Sequence, residues 1–362
     1  MAGNCNSLNT LFRHFFVLRH ITSSSVAMEK SCLGNSDDGL TFWLAEEKDY
    51  DDVMGISDNI YQGNDYLPRR YHSWMTEPGR VVMLARRGNK LVALESGLLV
   101  DDGCTVVVEG LRVCPSERGR GVAGVIQRFL DDYLQKLHPS IQVKRLTRGV
   151  EPGEQRLAKF TLLAKRAVLS LVGETVNFHS FTFYLKNKLH SSTGTGSDSG
   201  KSVPHLVPLD DKQLRKVLLD PDLPSRVQLP GGAIIQDWQP LQPIEANLEI
   251  LGRRDLSWLV DDQEKPTFLS FYTPPYPIPY EGGSLRLNID TFGTDAILAR
   301  AALVGHFQKV LASGAFSGNG MLMLRVYMDC SLLDGIQSFC EGFEGVRKFR
   351  GYWEQELLER QF

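Results

Sequence analysis

The sequence predicts an α/β protein of the α+β kind, built from two similar halves, each a mixed, mostly antiparallel sheet with flanking helices. Three observations predict it. Strand-like segments follow one another through tight turns between Arg80 and Val113. An apolar strand then runs through a basic glycine loop into an amphipathic helix, and the order strand, loop, helix, strand, helix returns between Leu285 and Phe343. At 362 residues the chain exceeds one typical domain, so two compact units are expected.

The elements are justified in order. Leu40 to Ala45, rich in aromatic and branched residues, reads as the first strand, and the acids from Glu46 to Asp52 suit the start of a helix, where the dipole favours negative charge. Ile60 to Trp74 is both aromatic and polar. Arg80 to Arg86 and Lys90 to Val100 form strands joined at Arg87-Gly88-Asn89, and Asp101-Asp102-Gly103 turns the chain into a further strand, Thr105 to Val113. Val122, Val125, Ile126, Phe129 and Tyr133 then recur at helical spacing. Ile141 to Leu146 is expected as the fifth strand, Glu154 to Val168 as a helical run, and Thr175 to Leu185 as strand-like around Phe181-Thr182-Phe183-Tyr184. Residues 1–38 are expected as a disordered leader, 39–190 as the first domain, 191–203 as a Gly/Ser-rich flexible linker and 204–362 as the second domain. The linker imitates a phosphate-binding P-loop, but Thr195 stands where its first glycine must be and no apolar strand leads in. In the second half, Leu285 to Ile289, Ala296 to Leu311, Met321 to Met328 and Leu332 to Phe343 repeat the pattern. The loop before Ala296 is acidic, with Asp290 and Asp295, so this half lacks the chemistry of the first.

That chemistry lies in Glu109-Gly110-Leu111-Arg112-Val113-Cys114-Pro115-Ser116-Glu117-Arg118-Gly119-Arg120-Gly121-Val122-Ala123. Loop amides at a helix N-terminus hold phosphate by direct hydrogen bonds and a favourable dipole, and glycines let the ligand approach where a Cβ would block it. Arg118 and Arg120 can add charge. The spacing is not G-x-G-x-x-G, which excludes a Rossmann reading at the residues themselves. Instead, Arg118-x-x-Gly121-x-Ala123, entered from a strand ending Leu111-x-Val113, resembles motif A of the GCN5-related N-acetyltransferases. The resemblance covers nearly the whole chain and implies a tandem arrangement with a degenerate second copy. It implies acetyl-CoA as co-substrate and no metal. Its pantetheine would lie along Leu111, Arg112 and Val113, and its pyrophosphate against Arg118, Gly119, Arg120, Gly121, Val122 and Ala123. The amide of Leu111 would face the thioester oxygen.

An amine acceptor is mostly protonated at neutral pH, so a group must take its proton. Glu109 is the candidate: it lies two residues before Leu111 on the same strand face, unless Gly110 marks a bulge. The resemblance implies a small acceptor, because small-molecule members of the family carry an acid followed by glycine in this slot. The tyrosine that serves the family as general acid is missing from Arg156 to Leu162. Either Tyr184 or a water protonates the leaving thiolate, or the thiolate leaves unprotonated. Tyr61, Tyr66 and Trp74 could stack on a flat ring, Asp65 could bond a ring N–H, and Arg69 or Arg70 could hold a carboxylate. Resemblance to the branch of the family that acetylates free L-histidine implies that amino acid as the partner.

The near balance of 40 basic and 43 acidic residues argues against a dedicated nucleic-acid binder. The six cysteines are scattered, without C-x-x-C or zinc spacing, which fits a reducing compartment. No apolar run is long enough to cross a bilayer, so no membrane partner is expected. A cytoplasmic protein is expected, although Met1 to Ala27 lacks acids and carries Arg13 and Arg19, a composition shared by mitochondrial leaders. Two other functions fit the same motif. A peptide acetyltransferase would need an open groove, which the Pro-rich segment Thr273 to Tyr280 could instead cover as a loop. A non-catalytic CoA-binding scaffold would need no base.

Overall fold

A single sheet carries both halves of the molecule. The computed structural model describes residues 31–149, 159–193, 204–316, 320–351 and 353–362. The first half contributes β1 (Gly34–Asn35), β2 (Thr41–Leu44), β3 (Arg80–Arg87), β4 (Lys90–Val100), β5 (Thr105–Val113), β6 (Val143–Gly149) and β7 (Thr161–Glu174). The second contributes β8 (Val207–Pro208), β9 (Ile234–Gln236), β10 (Gln239–Leu241), β11 (Ser257–Val260), β12 (Leu269–Ile278), β13 (Ser284–Phe292), β14 (Met321–Met328), β15 (Val346–Lys348) and β16 (Glu354–Gln361). Apart from the β9–β10 hairpin, these join in the order β1-β2-β3-β4-β5-β6-β16-β7-β14-β13-β12-β11-β8, with β15 beside β7.

That order contains an exchange of strands. The last strand of the chain, β16, lies antiparallel between β6 and β7, with Leu358 opposite both Leu146 and Leu162. In return β7 leaves the first half and pairs through Ala167–Glu174 with β14 of the second. Residues 33–362 accordingly cluster as one compact unit. The helical run expected over 154–168 is therefore corrected from Thr161 onward to a strand; residues 150–158 lie outside the described residues. The cause is the run Ala167-Val168-Leu169-Ser170-Leu171-Val172, buried on both faces, which periodicity alone cannot assign to helix or strand.

The helices are α1 (Tyr50–Gly55), α2 (Leu67–Thr76), α3 (Val122–Leu137), α4 (Asn177–Thr193), α5 (Asp211–Leu218), α6 (Leu223–Arg226), α7 (Glu245–Gly252), α8 (Ala296–Ala312) and α9 (Leu333–Cys340). The strand expected around Phe181 is thus helix α4. Phe178, Phe181, Leu185 and Leu189 place its apolar stripe in the second core, where tertiary packing overrides the strand preference of the aromatics. Helix α4 also reaches three residues into the segment expected as a linker, whose remainder lies outside the described residues. Of the expected leader, Gly34 and Asn35 pair with β2; residues 1–30 lie outside the described residues.

Helix α3 lays Val122, Ile126, Leu130 and Leu134 on Met83, Ala85, Val106 and Val108, while α2 covers the opposite face with Leu67, Tyr71 and Trp74. A third core joins the halves, packing Leu98, Val100 and Val107 against Leu218, Ile234 and Phe271, which brings the β9–β10 hairpin up to β5. No described helix is long and apolar enough to cross a membrane.

Candidate active site

Strands β5 and β6 run parallel but stay paired only from Thr105 to Val107, opposite Val143 to Arg145. Beyond that point β6 continues beside β16, and β5 keeps β4 alone, so its edge toward Val113 lies open. Leu111 on that edge is 38% exposed. The chain then makes a short 3-10 turn, Pro115–Glu117, and enters α3 with Gly121 as N-cap.

Gly119 and Gly121 adopt φ of +76° and +80°, and a Cβ at either would meet no protein atom within 4 Å. Among the described residues no side chain caps α3, so its first amides face that free space with the positive end of the helix dipole behind them. Val122 and Ala123 stand in this first turn. Arg118 folds back, its Nε donating to the Val113 carbonyl at 3.1 Å, and Arg120 lies 3.7 Å from Glu117. Backbone therefore lines this free space, with the two exposed arginines at its rim.

The second half shows why the same succession of elements lacks this capacity. Strands β13 and β14 stay in register from Ser284–Met321 to Asp290–Tyr327, which leaves no slot. At the start of α8 the Asp295 carboxylate accepts from the amides of Ile297 (2.8 Å) and Leu298 (2.9 Å), filling with a side chain the place an anion would take.

On the acceptor side, Gly110 is a bulge. Its φ is +78°, the β4–β5 register shifts there, and a Cβ would stand 2.7 Å from the Trp74 ring. The expectation that Glu109 and Leu111 share a strand face is corrected, because the extra residue re-aims Glu109. The Glu109 Oε1 accepts from Arg80 Nη1 at 2.7 Å and from Gln239 Nε2. Both donors take the same oxygen, which leaves Oε2 outside those two bonds. Arg80 also donates to Ser96 Oγ (2.7 Å) and to Glu77, with its guanidinium 4.6 Å over the Trp74 ring. Gln239, fully buried in the second half, is held in turn by Arg254. Burial and the charge of Arg70 lower the pKa of Arg254 to about 10.

The Arg112 side chain turns away from the open edge of β5. It is buried, pairs with Asp65, donates to the Gly110 carbonyl at 2.8 Å and lies over Tyr66. Tyr61 stacks at 6.3 Å on Tyr66, which lies 6.2 Å from Trp74. Burial pushes the Tyr66 phenol well above its ordinary pKa, keeping it a neutral donor. Arg70 pairs with Asp237 of the second half; Arg69 is exposed to solvent. Arg286, from β13, reaches Asn64 across the interface, with its Nη1 donating to the backbone carbonyl at 3.3 Å. The Pro-rich segment expected as a covering loop is mostly strand β12, bulged between Thr273 and Tyr276; past its end, Tyr280 abuts Gly63. Tyr184 donates to the Glu341 carbonyl at 2.8 Å in the second core, apart from these groups. Sequence reasoning missed Asn64, Arg80, Gln239, Arg254 and Arg286. For Arg80, Gln239 and Arg286 the available signal was a polar residue set in a strand, as in Leu285-Arg286-Leu287-Asn288-Ile289; Asn64 and Arg254 lie outside any strand and gave no such signal.

An open parallel strand pair, an uncapped helix behind a glycine loop and a zipped second copy are the arrangement expected of a tandem GCN5-related N-acetyltransferase. Among solved structures, the tandem GNAT protein from the clavulanic acid biosynthesis pathway aligns over 89% of this chain and 98% of its own, with 11% identity and a TM-score of 0.45. Residues 202–329 match the family described as histidine N-acetyltransferase, C-terminal. The histidine N-acetyltransferase of Oreochromis niloticus is 38% identical over 90% of this chain and 94% of its own. The Homo sapiens protein named probable N-acetyltransferase 16 is 39% identical over 88% of this chain and 85% of its own. The chain belongs to the histidine N-acetyltransferase family.

Proposed function

We propose that the protein moves acetyl from acetyl-CoA to the α-amine of free L-histidine, giving N-acetyl-L-histidine and CoA by direct attack in a ternary complex. The observation that carries the donor side is the parting of β5 from β6 after Val107, beside the uncapped start of α3. An extended pantetheine fits the open edge at Leu111 and Val113, and a pyrophosphate fits the space at Gly119 and Gly121. Acetyl-CoA supplies the activated acetyl group. The Leu111 amide would serve the developing oxyanion through backbone alone.

The acceptor must lose a proton to attack, and Glu109 Oε2 is the oxygen that can take it. Arg80 and Gln239 hold the carboxylate by its other oxygen, which fixes its direction. The acceptor is assigned from the names of the relatives and from the mixture of aromatic, cationic and acidic groups around Trp74. Purified protein with acetyl-CoA should release free thiol fastest with L-histidine among the free amino acids. Absence of histidine turnover, or equal rates on peptides beginning with histidine, would overturn the assignment.

A further inference from the structure

Buried polar atoms in folded proteins nearly always find a hydrogen-bond partner, and each exception calls for an explanation. Six of the sixteen exceptions among the described residues fall in one group of neighbouring residues. Asn64 is fully buried, yet neither its Nδ2 nor its Oδ1 bonds to any described residue. The same holds for Asp65 Oδ2, Trp74 Nε1, Arg80 Nη2 and Arg112 Nε. The known contacts link these residues in one chain: Asn64 adjoins Asp65, Asp65 pairs with Arg112, Arg112 reaches Gly110, Gly110 touches Trp74, and Trp74 lies under Arg80. Tyr61, stacked on Tyr66, and Leu111 on the open edge of β5 are both exposed.

We propose that Asn64, Asp65, Trp74, Arg80 and Arg112 form the seat of the amino-acid acceptor, with Asn64 held in place from the second half by Arg286; this rests on the function proposed above. Four of the partnerless atoms are donors and two are acceptors. An α-amino acid whose ring carries N–H is their complement. Its carboxylate takes the donors, while its amine and ring nitrogen satisfy Asn64 Oδ1 and Asp65 Oδ2. An aliphatic side chain would leave one of those acceptors buried and empty, which is how such a site rejects it. The second half thereby contributes to acceptor selection while binding no cofactor. Arg286 is 2% exposed and is fixed by Asn288 Oδ1 (2.9 Å) and the Tyr327 hydroxyl (3.0 Å), so it clamps the Asn64 backbone rigidly.

The test is steady-state kinetics of the full chain bearing Asn64→Leu. The replaced amide makes no internal bond, so a merely structural role predicts an unchanged or raised unfolding midpoint and an unchanged KM. The seat predicts a KM for histidine raised roughly ten- to a hundredfold, with kcat at saturation and acetyl-CoA affinity kept. Asn64→Asp, of equal size, should raise KM likewise by setting a carboxylate against that of the acceptor. An unchanged KM in either folded variant, with a wild-type chain that acetylates histidine, overturns the seat alone and leaves buried water as its occupant. A wild-type chain inactive on histidine overturns both readings.

Discussion

Gly121→Ala separates backbone strain from ligand contact, because the two act on different observables. At φ of +80° a residue with a Cβ is strained by roughly 1–2 kcal/mol, whereas the space around it is empty of protein. In a chain of this length that strain lowers the unfolding midpoint by roughly 2 °C. On acetyl-CoA the same methyl acts sterically, standing at the N-cap where a phosphate oxygen would meet the first amides of α3. Loss of one charge-assisted hydrogen bond costs about 1.5–3 kcal/mol, or roughly a ten- to hundredfold weaker Kd. Gly314→Ala is the control: its φ of +72° and equally open surroundings impose the same strain far along the chain from the loop. Titration calorimetry of acetyl-CoA on both full-length variants should show weakened binding for Gly121→Ala only. Wild-type affinity in Gly121→Ala would refute the loop as the pyrophosphate seat, and equal weakening in both variants would reduce the effect to general destabilisation.

Glu109→Gln should keep acetyl-CoA affinity and lower turnover by about a hundredfold, the usual scale for losing a general base; near-normal rates across a pH series would leave Glu109 a structural carboxylate. Removal of residues 353–362 takes β16 from between β6 and β7 and bares two strand edges, so the truncated chain should lose its cooperative melt by circular dichroism. An intact melt would mean that the first half closes without it. Burial lowers the His306 pKa to about 3, so between the unfolded value near 6.5 and that figure the unfolded chain binds the extra proton. Stability from this group is then lost as pH falls, by up to about 1.4 kcal/mol per unit. His306→Gln should flatten the acid limb of denaturant-unfolding curves relative to wild type, and parallel limbs would show that His306 does not titrate this way.

The strand, loop and helix proposed as the donor site were legible in the sequence because every part is local. Thr105 to Val113 alternates and branches as a strand, Gly119 and Gly121 stand where left-handed backbone is required, and Val122 to Tyr133 keeps helical period. The elements of the second half were read equally well from Leu285 to Phe343, and Asp295 caps its helix within three residues. The acceptor side was only partly legible. Tyr61, Asp65, Tyr66 and Trp74 drew attention as an aromatic and polar stretch, yet nothing in their spacing says that Asp65 pairs with Arg112 or Arg70 with Asp237.

What the sequence determined by itself, then, was the class of fold and the strand, glycine loop and helix proposed to seat the phosphate, all fixed by interactions between residues within a turn or a strand of one another. Tertiary structure decided the rest. It converted the expected helix from Thr161 into a strand and the expected strand at Phe181 into a helix, because burial on two faces and an aromatic stripe outweigh local preference. It turned Glu109 at the Gly110 bulge and set Gln239 and Arg254 behind it. It also passed β16 back into the first half across the 179 residues of chain between Glu174 and Glu354. Pairings over such separations depend on which surfaces remain uncovered once the local elements have formed, and that is a property of the assembled cores rather than of any window of sequence.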